Sequence, residues 1–178
     1  MRNIIIIGAV LVAVGGQFGL FGGGGDKPLP IPEAAPGKSA TAPRPIKENV
    51  VAYHTSDGSM NAAKKTARST LPRFVELIDA NAPGTYTVKF PLTQNGETEH
   101  IWMQLTGHDA DGFTGLLAND PINGNKFKMG DRMEVAKADV EDWMVRAGDV
   151  MYGGYTVRVM LKDMPKEQAD KLRAMFRD

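Results

Sequence analysis

Residues 4–21 read IIIIGAVLVAVGGQFGLF, an apolar run in which Gln17 is the only strongly polar residue. A stretch of roughly 18 or more apolar residues is long enough to cross a bilayer as a helix. Glycines from Gly22 to Gly25 follow, then Pro28, Pro30, Pro32, Pro36, Pro43 and Pro45 with alanine, lysine and serine between them. Proline removes backbone donors and fixes φ, so residues 22–47 are expected to form an extended spacer that buries no core. Any folded domain must therefore be built from residues 48–178, a length that can sustain a core of its own. Three segments result: residues 1–21 as N-terminal transmembrane anchor or signal peptide, 22–47 as Gly/Pro-rich linker, and 48–178 as globular domain.

Arg2 supplies the charged flank that both an uncleaved anchor and a secretory signal require. Ala13-Val14-Gly15 is the nearest small-residue cleavage site, but apolar residues resume after it at Phe18, Leu20 and Phe21. The anchor is therefore favoured, with cleavage to a free protein as the alternative. The positive-inside rule places Arg2 and the amino terminus in the cytoplasm and the C-terminal domain outside it.

The chain contains no cysteine. Disulfides, lipoprotein attachment and thiolate metal sites are thereby excluded. Its 21 Lys and Arg balance 21 Asp and Glu. Arg2, Lys27, Lys38, Arg44 and Lys47 sit in the first two segments against only Asp26 and Glu33, which leaves the folded domain slightly acidic. Without a basic stripe, nucleic acid is not an expected partner.

Asp57 or Ser59 can cap a helix whose Met60, Ala63, Ala67 and Leu71 share one face. Pro72 is expected to end it and to open a second short helix carrying Phe74, Leu77 and Ile78. Tyr86, Val88, Phe90 and Leu92 alternate with polar residues as a strand, and Asn95-Gly96 signals a hairpin. Residues 97–106 form the returning strand, with Ile101, Met103 and Leu105 on one face and His100, Trp102 and Gln104 on the other. A third strand is expected over residues 113–118, another around Met133 and Val135, and a turn or strand around Trp143. A last strand is expected where Tyr155, Val157, Val159 and Leu161 alternate with Thr156 and Arg158. A helix over residues 165–177 packs Ala169, Leu172 and Phe176. The expected class is α+β: N-terminal helices, a strongly bent antiparallel sheet of about five strands, and a C-terminal helix.

Several short stretches follow one another at distinctive spacings across the domain. They are Met60-Asn61-Ala62-Ala63, Glu99-His100-Ile101-Trp102, Gly112-Phe113-Thr114-Gly115-Leu116-Leu117, Gly130-Asp131-Arg132-Met133, Asp139-Val140-Glu141-Asp142-Trp143 and Gly153-Gly154-Tyr155-Thr156-Val157-Arg158. In this order and spacing the domain resembles the YegJ-like family of small bacterial proteins, a domain of unknown function. The resemblance implies a bacterial source but no activity. With the anchor, it implies a single-pass protein of the bacterial inner membrane whose domain faces the periplasm. A secreted or periplasmic form after signal cleavage is the alternative.

The candidate binding residues form two groups. Glu99, His100 and Trp102 lie on one strand, where Trp102 on the polar side either packs under a helix or floors a ligand groove. Asp142, Trp143, Tyr155 and Arg158 form the second group, since an arginine among aromatics suits a protein or peptide partner. Arg158 is expected to share a surface with Trp102. No catalytic residue is assigned. A histidine such as His100 is the side chain most often used as a general base, but no nucleophile motif accompanies it. His54, His100 and His108 lack metal-ligand spacing. Asp109-Ala110-Asp111-Gly112 resembles the opening of a calcium loop without the glutamate that would complete one, so an exposed turn is expected there. No cofactor and no metal are expected. The leading expectation is a membrane-tethered module that binds a protein or other ligand without catalysis. Its alternatives are a hydrolase-like enzyme using a Glu/His/Asp cluster and a toxin-immunity-type binding protein.

Overall fold

The computed structural model describes residues 4–7, 51–54 and 57–178, the first two stretches as backbone only. In chain order the elements are β1 (Ile4–Ile7), β2 (Val51–His54), α1 (Gly58–Asp79), β3 (Thr85–Gln94), β4 (Glu97–His108), β5 (Gly112–Leu117), β6 (Arg132–Ala136), β7 (Asp142–Ala147), β8 (Val150–Gly153), α2 (Tyr155–Met160), α3 (Lys166–Met175) and β9 (Phe176–Arg177). The fold is α+β. The described residues contribute nine strands to one sheet, more than the five or so expected. The order is β2-β1-β4-β3-β7-β8-β9, with β5 on β4 and β6 on β5. Pairing is antiparallel except at β1–β4 and β8–β9. Much of the surplus consists of very short strands, which leave a weak period-two signal in a sequence.

Ile4–Ile7, the first residues of the run expected to cross a bilayer, lie in β1, antiparallel to β2 and parallel to β4. β-branched residues favour the strand conformation, which suits this placement. Residues 8–21 of the expected anchor and the 22–47 linker lie outside the described residues. Among the described residues, no helix is long and apolar enough to cross a membrane.

Helix α1 starts where a cap was expected: the Asp57 carboxylate accepts the Met60 N–H at 2.9 Å. Met60, Ala63, Ala67 and Phe74 are its buried face. Pro72 does not divide it; one helix runs from Gly58 to Asp79. A proline inside a helix removes one backbone hydrogen bond and crowds the preceding turn. Neighbouring side chains brace that turn. Ser69 and Thr70 hydroxyls each donate to Thr66 O at 2.9 Å, and Trp143 Nε1 donates to Ala67 O at 3.1 Å. Beyond Pro72, Phe74 is fully buried with its ring 5.2 Å from that of Trp143 and 5.8 Å from that of Phe113. Burying that ring outweighs the lost backbone bond.

The strand expected over residues 155–161 is a helix. Gly154, at φ 62°, turns the chain into α2. The first amides of α2 are capped from β7: Asp142 accepts from Tyr155 N at 3.1 Å and Thr156 N at 2.8 Å. This long-range cap overrides the β propensity of Tyr155, Val157 and Val159, which a local alternation pattern cannot anticipate. The C-terminal helix ends at Met175, and Phe176 enters β9 rather than the helix.

β3 is the axis of the sheet. It pairs with β4 from Thr87↔Gln104 to Gln94↔Glu97 and with β7 from Thr85↔Arg146 to Lys89↔Asp142. One face carries Val88, Phe90, Ile101, Met103, Trp143 and Val145 into a core shared with Ala67, Phe74 and Phe113. The other face carries Lys89, His100, Trp102 and Asp142, and these are buried too. A charged row is thus enclosed on the face opposite the apolar core.

Gly153 closes the contact of β8 with β7 at φ 73°, where an added Cβ would lie 2.3 Å from Trp143 O. Gly153→Ala is expected to lower unfolding free energy by about 2 kcal/mol or more. Gly58→Ala, at a helix start with nothing within 4 Å, should be neutral or stabilising by up to about 1 kcal/mol. Urea denaturation of both variants checks the pair, and equal losses would contradict the packing described.

Candidate functional site

Register assembles the charged row. Lys89 stands opposite Trp102 on β4 and opposite Asp142 on β7. Its ammonium lies 5.6 Å from the Trp102 ring centroid and donates to Thr156 Oγ1 at 3.3 Å. Thr156 Oγ1 in turn donates to Asp142 Oδ2 at 2.6 Å, and Asp142 Oδ1 accepts from Trp143 N at 2.9 Å. Lys89, Asp142 and Thr156 are each 0% exposed. Burial pushes the Lys89 ammonium down to about 8, against the opposing pull of Asp142 and Glu141. Burial likewise pushes the Asp142 carboxyl up, and its hydrogen bonds with Thr156 and the charge of Lys89 counter this only in part.

A second charged set adjoins the first. Glu141 N–H donates to Lys89 O at 2.8 Å. Its carboxylate accepts from Lys64 Nζ on α1 at 2.9 Å and pairs with His100 Nδ1. Burial alone would raise the Glu141 carboxyl, but the His100 and Lys64 contacts outweigh it and hold the group below its ordinary value. His100 and Glu141 form a carboxylate–imidazole pair, the arrangement that orients a general base.

Glu99 is not part of this row. Its Oε2 accepts from Ile122 N at 2.8 Å and Asn123 N at 3.3 Å, which ties the loop after β5 to β4. Its Oε1 is buried without a hydrogen-bond partner among the described residues. Gln94 on the neighbouring strand anchors the same loop, accepting from Lys126 N at 3.2 Å. Asn119 closes the other end, accepting from Trp102 N at 3.3 Å.

The expected groups are therefore redistributed. Trp102 and His100 share a face as expected, and Asp142 joins them through Lys89 and Glu141. Trp143 lies on the opposite, core face, its ring 5.8 Å from that of Tyr155 in an edge-on contact. Arg158, expected beside Trp102 on a strand, sits on α2 and clamps the C-terminus. It donates to Arg177 O at 2.6 Å and Asp178 Oδ1 at 2.8 Å and stacks 4.7 Å from Phe176. Residues 109–112 form the exposed turn expected there: Asp109 Oδ1 accepts from Asp111 N and Gly112 N, and Lys137 Nζ donates to two of the turn's carbonyls. Lys89, Glu141, Lys64 and Thr156 were not picked out by sequence reasoning. The available signal was Lys89 facing Trp102 across the Asn95-Gly96 hairpin, a register that the turn itself sets.

The profile described as an uncharacterized protein conserved in bacteria, DUF2314, matches residues 57–176. Uncharacterized protein YegJ of Escherichia coli (strain K12) is 38% identical over 129 residues, 72% of this chain and 84% of that protein. A putative ankyrin repeat protein of Neisseria meningitidis serogroup B is 28% identical over 132 residues, 68% of this chain and 52% of that protein. The chain thus spans about half the length of that second relative. No solved structure matches.

A lysine whose folded-state pKa lies near 8, below its unfolded value of 10.5, destabilises the fold while both states are protonated. The penalty is full below about pH 8 and fades as pH rises towards 10.5, because the unfolded chain then binds more protons than the folded one. The stability of wild type relative to Lys89→Met should therefore improve by about 2 kcal/mol between pH 7 and pH 10. Urea titrations at the two pH values test this, and a gap that stays constant or widens would contradict it.

Proposed function

The chain belongs to the bacterial DUF2314 family, and within it we propose a membrane-tethered, extracytoplasmic module that binds a protein or peptide without catalysis. The observation that carries the non-catalytic half is the engagement of the candidate groups. Asp142 holds the start of α2, Arg158 holds the C-terminus, and Glu99 holds the loop at Ile122. Each is committed to a different structural bond, whereas catalysis needs such groups converging on one reacting atom. The tether rests on the apolar run of residues 4–21 and the proline-rich spacer behind it.

A hydrolase-like reading keeps one observation in its favour, the pairing of His100 with Glu141. In that reading Glu141 orients His100 as general base and supplies the carboxylate of the Glu/His/Asp cluster.

Fractionation of the native bacterium, followed by crosslinking from the membrane fraction, tests the main reading. The full-length chain should stay in the pellet through an alkaline carbonate wash and crosslink to a discrete partner, with His100→Gln preserving that crosslink. A processed, soluble form lacking residues 1–15 would remove the tether. Turnover of an ester or amide substrate that His100→Gln abolishes would favour the hydrolase.

A further inference from the structure

β4 is paired along one side by β3 throughout residues 97–104, but its other side is divided. β5 takes only the far part, between Met103 and His108. At Trp102 the loop after β5 closes the edge: Trp102 N–H donates to Asn119 Oδ1, and Ala118 N–H donates to Trp102 O at 2.9 Å. Backbone groups alternate in direction along an antiparallel strand. The N–H and C=O of His100 and Thr98 therefore point outward, as those of Trp102 do.

The strand that meets this stretch is β1, running parallel with Ile6 opposite Glu99 and Ile7 opposite His100. A strand continued beyond Ile7 would advance towards Asn119. Asn119 is 4% exposed, its amide oxygen is fixed by Trp102 N–H, and its Nδ2 is a buried donor without a partner among the described residues. The edge thus combines outward-facing backbone groups with a spare side-chain donor at the end where an added strand would arrive. An edge of this kind is a template for strand addition.

We propose that the outer edge of β4, from Thr98 to Asn119 by way of His100, is the site at which this module takes an extended, β-branched apolar segment of its partner protein. Ile4–Ile7 is an internal stand-in for that segment. The stand-in also gives the regulation: residues 4–7 cannot lie in a bilayer and in the sheet at once. Membrane insertion clears the edge, and loss of the membrane lets the chain cover it. A segment joined through residues 8–50 competes at roughly millimolar effective concentration, so a free peptide meets a strong rival in the uninserted form. This inference rests on the tethered-binding reading, but its peptide arm does not need a membrane.

The experiment uses the full chain and a fluorescent peptide of residues 3–9 with flanking lysines for solubility, read by anisotropy. In buffer without lipid, Ile6→Pro, which breaks the β1 ladder, should bind the peptide at least tenfold more tightly than wild type. Adding Thr98→Pro should abolish that gain, because it removes an outward N–H and leaves the β3 ladder intact. Thr98→Ala, which loses the same hydroxyl contact with Thr93 but keeps the N–H, should preserve it. Amide exchange of His100 supplies a reading without any β4 substitution: it should quicken in Ile6→Pro and slow again on peptide addition. Wild type reconstituted in phosphatidylglycerol-containing vesicles should bind like Ile6→Pro. Equal binding by wild type and Ile6→Pro, with unchanged His100 exchange, overturns the edge site. A positive Ile6→Pro arm with no gain in vesicles keeps the edge site and overturns the membrane control.

Discussion

The carboxylate of Asp142 is the joint on which the second half of the fold turns. It is fully buried and accepts from Trp143 N, Tyr155 N, Thr156 N and Thr156 Oγ1. Hydrogen bonds to a charged group contribute about 1.5–3 kcal/mol each, enough together to rival the several kcal/mol that burying a carboxylate costs. α2 has only six residues, far too few to stand as an isolated helix. Held by Asp142, it presents Tyr155 to Trp143, Met160 to Met60 and Arg158 to the C-terminal residues. Asp142 also faces Lys89 on the central strand, so the group that seats α2 partly offsets the desolvation of the buried ammonium.

That joint explains where sequence reading succeeds and where it stops. α1 and the β3–β4 hairpin were legible because their determinants are local: an Asp57 cap, a stripe at Met60, Ala63 and Ala67, and Asn95-Gly96 between two alternating runs. Asn95 and Gly96 adopt φ 52° and 80°, the left-handed pair such a turn requires. α2 was not legible, because Tyr155, Thr156, Val157 and Val159 have strand propensity and the cap that overrides it lies on another element. Pro72 misled for the same reason. The loss it causes is local and visible in sequence, while the gain from Phe74 against Trp143 and Phe113 depends on residues far along the chain. At the candidate site, His100 and Trp102 could be placed on one face by period two alone. Glu141, their ionic neighbour, could not, since it precedes β7 and meets His100 only through the order in which β4, β3 and β7 are arranged.

The two charged sets differ in what burial does to them, although they lie side by side. Glu141 keeps a carboxyl lowered below its ordinary value because His100 and Lys64 sit directly on its oxygens. Among the described residues Lys89 has no carboxylate oxygen as its hydrogen-bond partner; it donates to the hydroxyl of Thr156, which relays the contact to Asp142. Charge felt at a distance through a hydroxyl compensates desolvation less well than direct contact, so the ammonium is pushed down while Glu141 stays ionised. The Trp102 ring beside Lys89 adds a cation–π contribution of about 0.5–2 kcal/mol, which favours the charged form without restoring it fully.

The placement of four isoleucines in β1 bears on the tether through magnitudes. Apolar side chains at the centre of a spanning helix gain about 0.3–0.6 kcal/mol each on insertion. Residues 4–7 alone would therefore gain about 1–2 kcal/mol from a bilayer, comparable with the few backbone bonds they make against the β4 edge. Leu11, Val12, Val14, Phe18, Leu20 and Phe21 add to the membrane side of the balance, while the β1–β4 register ends at Ile7. On the proposed tether, an accessible bilayer would draw the segment into lipid, and its absence would return the segment to the sheet. Both states would satisfy the backbone of residues 4–7, the proposed one by helical bonds within the segment and the observed one by the strand edge. Only the second state covers the outward groups of Thr98 and His100. In a chain anchored as proposed, those groups would be met by water or by another strand, and Asn119 at the end of the edge would favour a strand longer than β1.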